Sequence, residues 1–328
     1  MENVDDLSSL KVTFASIAKK RQEDLKPSED DKNLLIVDGN NIGYRYLQRK
    51  NFNSFADDYI RTVESLAKSY KSKDIVVAYD FGKSEYRKAI FPEYKANRTP
   101  PTEEEKDHFD KFFAELNSVS EKIPYQTFKL FGVEADDIIT YLALKLKSRY
   151  PHIWIVSSDR DLYQLLDDNI SIFNLFSRKE LTKKWLWDEK GLTPEQHQLS
   201  KIIQGDKSDN IAGIDGIGEK RGDDLAKTYK NIGNLLNKLP LPGRSKYIKN
   251  LNEGKDLLLR NEQLINLTYD IRKIIAFGPS GEKNIKILDD YSNKILTSYP
   301  EVITQPILLE KTTEVTSATA EVLERMVK

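Results

Sequence analysis

The chain has 328 residues, of which 39% are hydrophobic and 31% charged, with a formal net charge of −1 and no cysteine. That length suits a core plus a smaller module. The lack of cysteine excludes disulfides, thiolate metal sites and cysteine nucleophiles. No stretch approaches the roughly 18 apolar residues of a membrane span, and Met1 to Lys26 carries scattered charges in place of a secretory signal.

Residues 1–32 read as a flexible extension. Three short apolar runs then lead to aspartates: Leu34 to Val37 before Asp38, Ile75 to Tyr79 before Asp80, and Ile153 to Val156 shortly before Asp159. Their β-branched, near-continuous apolarity predicts parallel strands buried on both faces. Between the first two, Phe55, Tyr59, Ile60, Val63, Leu66, Ala67 and Tyr70 recur at helical spacing. Thr102 with Glu105 is a capping-box signature opening a second helix, and Glu134 to Leu146 reads as a third. Strands alternating with helices define an α/β fold over 33–187. From 188 to 275 strand signals fade and short helices predominate. Residues 276–328 read as a segment packing on the core plus a tail, in which Val315, Ala318, Val322, Leu323 and Met326 have helical spacing.

In parallel sheets, sites form at the carboxyl ends of strands. Glu134, Asp136 and Asp137 open a helix, Asp159 and Asp161 follow the third strand, and Asp206 and Asp209 lie in a Gly-led segment. Each cluster alone has an ordinary explanation, as helix-dipole partners or turn formers. Gathered at one edge with Asp38 and Asp80, nine carboxylates would repel strongly: two unit charges about 4 Å apart cost about 4 kcal/mol at an effective dielectric near 20. The three histidines, His108, His152 and His197, are far apart and show no ligand spacing. All-oxygen coordination points to Mg²⁺, with Mn²⁺ as a substitute. Two such ions suit phosphoryl chemistry.

From Lys83 to Arg98, five basic residues and two acids alternate with Phe91 and Tyr94, a pattern suited to phosphate attraction and base stacking, though also to a solvated loop. Gly213 to Gly222 places glycines where a tight turn feeds a helix, so backbone N–H groups can approach a phosphate. Asn237 to Lys249 contains Lys238, Arg244, Lys246 and Lys249 and no acid. Without the nine site acids the net charge would be +8, a basic surface around an acidic pit.

These features resemble the flap endonuclease and 5′-3′ exonuclease family, most closely its bacteriophage members. The markers are Val37 to Asn41, Asp80 with Gly82 to Ser84, Pro92 to Arg98, Gly132 to Asp137, Ser158 to Asp161, Gly205 to Asn210 and Gly216 to Gly218. The resemblance implies a mixed, mostly parallel sheet flanked by helices, a helical arch over about 82–117 and a helix-three-turn-helix DNA-binding module. It implies that Asp38, Asp80, Glu134, Asp136, Asp137, Asp159, Asp161, Asp206 and Asp209 hold two or more Mg²⁺ ions. Lys95 would stabilise charge at the scissile phosphate, Tyr94 would stack on a displaced base, and Arg98 would join them. Lys83, Arg87, Lys201, Gly216, Gly218, Lys220, Arg221 and Lys246 would contact DNA, with K⁺ at the Gly216–Gly218 turn. Arg160 stands where many relatives have glycine.

The implied partners are branched or 5′-flapped DNA, RNA-primed DNA, and a replication protein reached through the carboxyl tail. The implied form is a monomer in the cytoplasm, the host's for a phage protein. A catalytically silent branched-DNA-binding relative would lack ligands, whereas all nine positions carry acids. Another carboxylate-metal hydrolase would have no use for the arch and glycine turn.

Overall fold

The computed structural model describes residues 30–49 and 51–298. The extension up to residue 29 and the expected tail helix with its partner contact lie outside the described residues.

Strands β1 (Asn33–Asp38), β2 (Ser72–Tyr79), β3 (Gln126–Lys129), β4 (Ile153–Val156), β5 (Ile170–Asn174) and β6 (Lys179–Leu181) form one sheet in the order β3-β2-β1-β4-β5-β6. The first five are parallel and β6 runs antiparallel to β5. The three strands predicted from apolar runs are the central ones. β3, β5 and β6 were not predicted: β3 and β6 are short, polar edge pieces, and β5 begins after a turn without a long apolar run.

The apolarity of β1 divides by period two. Leu34 and Ile36 face one core with α5 (Ala135–Leu146) and α13 (Gly281–Ser298), whereas Leu35 and Val37 face another with α2 (Phe55–Ser69) and α4 (Glu103–Lys122). Thr102 caps α4 in the expected reciprocal box with Glu105. Because β1 lies between β2 and β4, the order reverses beside it, and the crevice at its carboxyl end opens at Asp38.

Beyond the sheet, α6 (Lys183–Lys190), α7 (Pro194–Gln204), α8 (Glu219–Tyr229), α9 (Ile232–Lys238), α10 (Lys246–Glu253), α11 (Lys255–Ile265) and the short α12 (Ile271–Ile275) follow in chain order. A third core joins most of these helices through Ile202, Ile203, Ala226, Leu235, Leu251 and Leu258. Tyr94 belongs to this core, and α3 (Glu85–Ile90) leads into it through Ile90 and Phe91. The segment after β2 therefore packs against the helical module as well as the sheet edge. No helix among the described residues is long and apolar enough to cross a membrane.

Candidate active site

Asp38 ends β1 and caps the short α1 (Gly39–Tyr44): its Oδ1 accepts from the Asn41 N–H at 3.0 Å. Its Oδ2 accepts from the Ser157 hydroxyl at 2.8 Å, which ties it to the end of β4. Asp80 follows β2 and accepts from the Ala135 N–H at 2.8 Å, so the amino terminus of α5 is aimed at it. Asn41 bridges to Ser158, donating to its hydroxyl at 2.8 Å and accepting from its N–H at 3.0 Å. Asp206 ends the first strand of a tight hairpin, paired with Ile211, and Asp209 lies in its loop. In this hairpin Gly205 has φ +72°, and a Cβ on it would stand 2.4 Å from the Ile211 carbonyl oxygen, so only glycine fits.

These segments enclose a cleft of about 420 Å³ whose walls include Glu134, Asp136, Asp159, Asp161, Asp206 and Asp209. Mutual repulsion is evident in the acids. Burial and then the Asp80 charge push the Asp38 carboxyl up to about 7, against the Asn41 and Ser157 hydrogen bonds. Burial, followed by Asp159, Asp38 and Asp80, holds Asp136 well above the usual carboxylate range. Asp161 rises to about 6 through burial, opposed by Lys201. Glu134 goes the other way: burial would raise it, but Lys95 and Arg87 together hold it below its ordinary value.

Cations are threaded between the acids. Lys95 Nζ lies 2.6 Å from Glu134 and 3.7 Å from Asp209. Its φ of +56° is left-handed, a strained backbone for a residue with a side chain, and its N–H donates to the Asp209 carbonyl at 2.9 Å. Lys201 bridges Asp161 and Asp206, the latter at 2.8 Å. Arg98 donates to Asp209 at 3.0 Å. With these cations interposed, no three acids or histidines among the described residues form a ready-made metal-binding group. The donors present are nevertheless carboxylate oxygens in excess, several of them pushed up by one another. That chemistry fits hard divalent cations.

Four expectations are corrected by this geometry. Arg87 was expected on a DNA-facing surface, and Asp137 was expected to hold metal. Arg87 is buried instead, because its guanidinium grips both Asp137 oxygens at 2.8 Å, which leaves neither group a free face. Tyr94 was expected to stack on a base, but its ring is only 2% exposed within the helical core. Its hydroxyl lies 2.8 Å from Glu134 and 3.0 Å from Asp209, with its one proton shared between them. Lys201, placed with the DNA contacts from sequence, lies inside the acidic cleft.

The remaining residues are peripheral. Lys83, Lys220 and Lys246 are exposed, with Lys246 paired to Asp215 at 3.0 Å. Gly216 has φ +84°, its carbonyl accepts from Arg221 at 2.8 Å, and Gly218 stands in open space at the start of α8. Sequence reasoning missed the supporting residue Ser157, and it named Asn41 and Ser158 only as family markers, with no role in the site. The available signal was hydroxyl and amide side chains directly after strand ends, where they orient neighbouring carboxylates.

Two family models match in tandem: the 5′-3′ exonuclease N-terminal resolvase-like domain over residues 33–192, and the 5′-3′ exonuclease C-terminal SAM fold over 192–278. The flap endonuclease of Escherichia phage T5 is 38% identical over 273 residues, covering 81% of this chain and 92% of that protein. The 5′-3′ exonuclease of Buchnera aphidicola is 32% identical, covering 76% and 88%. A crystal structure of the phage T5 flap endonuclease, a pseudo-enzyme-product complex with DNA and metal ions, superposes with a TM-score of 0.77 at 37% identity, covering 81% of this chain and all of that one. The chain belongs to the 5′-3′ exonuclease family and is a 5′ nuclease.

Proposed function

We propose that this nuclease cuts 5′-flapped or branched DNA, and 5′ RNA primers, by divalent-metal-assisted hydrolysis that leaves a 5′ phosphate and a 3′ hydroxyl. The observation that carries the reading is the convergence of acids from several separate segments on one cleft that also holds Lys95 and Lys201. The T5 relative's structure with DNA and metal ions supports it.

Eight acids are left to hold Mg²⁺ or Mn²⁺: Asp38, Asp80, Glu134, Asp136, Asp159, Asp161, Asp206 and Asp209. Such ions, when bound, lower the pKa of an attacking water and stabilise entering and leaving oxygens. The protein's own residues do the rest. Ser157 and the Asn41 N–H fix the Asp38 carboxylate, and the amino terminus of α5 fixes Asp80. Lys95, strained and poised over Glu134, brings its ammonium to the charge that develops on the scissile phosphate. Arg98 draws the phosphate backbone in at the cleft mouth, with Lys83 beside it. The Gly216–Arg221 turn, with Lys220 and Lys246, grips the duplex. A K⁺ ion there would share the Gly216 carbonyl, whose second lone pair remains after the Arg221 hydrogen bond.

The test is a 5′-labelled flap duplex incubated with Mg²⁺ or EDTA, using wild type and Asp159→Asn/Asp161→Asn. Release of the flap only with Mg²⁺, and only by wild type, is the expected result. Tight binding without cleavage in Mg²⁺ and Mn²⁺ would instead identify a silent branched-DNA binder.

A further inference from the structure

Five cations line the cleft, and four are committed. Arg87 is held by Asp137, Lys95 by Glu134, Arg98 by Asp209 and Lys201 by Asp206. Arg160 is the fifth. It is exposed, and among the described residues its guanidinium has neither a carboxylate within ion-pair distance nor a hydrogen bond.

The root of this side chain is fixed although its head is free. The Arg160 carbonyl accepts from the Tyr163 N–H at 3.2 Å and from His197 Nε2 at 3.3 Å. Arg160 also lines a neighbouring cavity of about 660 Å³, whose wall includes Tyr163 and Trp185 with ring centroids 5.5 Å apart. Glu219 lines that cavity too, but Lys190 already holds it at 2.7 Å. Arg160 therefore borders both cavities.

A phosphodiester strand entering an acid-lined cleft needs positive charge that the protein has not already spent. The other four guanidinium and ammonium groups already share their charge with a carboxylate, whereas Arg160 is in no ion pair. Its planar fork suits two phosphate oxygens at once. We propose that Arg160 binds the phosphodiester next to the one cleaved, on the strand passing from the cleft towards the Tyr163–Trp185 cavity. This rests on the nuclease reading above.

Affinity for a 5′-flap duplex in EDTA would be measured for wild type, Arg160→Ala and Arg160→Lys, with phosphates around the cut replaced one at a time by uncharged methylphosphonates. Wild type should weaken about tenfold at one position, as expected for loss of a charge-assisted contact. Arg160→Ala should start that much weaker and lose nothing further at that position, with its salt slope lower by about 0.9. Arg160→Lys should restore the slope. An Arg160→Ala profile parallel to wild type at every position, with an unchanged slope, would overturn the assignment. Wild type that neither binds the flap nor cuts it in Mg²⁺ would overturn the nuclease reading itself.

Discussion

Arg87 and Asp137 form a two-pronged ion pair, both contacts 2.8 Å, with at most 3% of either side chain exposed. It fastens α3, at the start of a segment that lines the cleft, to the first turn of α5. Removing one partner strands a buried charge. Arg87→Ala is therefore expected to lose about 3–5 kcal/mol of stability, and an apolar pair of matching volume, Arg87→Met/Asp137→Leu, to recover most of it. Urea unfolding checks both. An Arg87→Ala protein of unchanged stability but weakened DNA affinity would return Arg87 to the DNA-binding surface.

Lys95→Ala should slow cleavage on the order of 10²–10³-fold, the usual loss for one preorganised transition-state contact. Binding of the uncleaved flap should change far less. Single-turnover rates beside equilibrium affinities separate the two, and equal losses would remove Lys95 from the chemistry.

Tyr94→Phe keeps the ring and deletes the hydroxyl between Glu134 and Asp209. If the hydroxyl is what matters, stability should fall by about 1.5–3 kcal/mol, the range for hydrogen bonds to charged groups. Cleavage should fall with it. A fully active, fully stable variant would favour base stacking after all.

The raised acids give a pH signature. Between the ordinary 3.8 and the folded values, about 7 for Asp38 and about 6 for Asp161, the unfolded chain releases protons that the folded protein keeps. Stability in EDTA is thus greatest below about 4 from these groups and declines as pH rises towards 7. Divalent cations relieve the repulsion, so Mg²⁺ should raise Tm more at pH 8 than at pH 5. At a hundredfold excess over Kd the gain is about 2.7 kcal/mol. Equal gains at both pH values would separate metal binding from these carboxylates.

Replacing Lys220 and Arg221 by alanine should lower the salt slope of duplex binding by about 0.9 per lost phosphate contact. An unchanged slope would mean that the Gly216 turn is not the clamp.

The sequence disclosed the central strands because burial on both faces demands unbroken apolar runs, and Asp38, Asp80 and Asp159 because they follow those runs closely. It could not disclose which charges neutralise one another. Arg87 and Asp137 are 50 positions apart, and only the folded chain shows that they face inward together. The same holds for Tyr94: an aromatic among lysines and arginines looks like a stacking platform until the helical core is seen to enclose it. Edge strands β3 and β6 were silent because one polar face leaves little pattern to read.

The junction between the two matched segments, at residue 192, cuts through the acidic cleft. Asp206 and Asp209 come from the second segment, Asp38, Asp136 and Asp159 from the first, and Tyr94 and Lys95 are sewn to both by contacts with Glu134 and Asp209. Neither half owns a complete reaction centre. A gene split at that boundary should therefore yield two inert fragments, each left with only part of the acidic cleft.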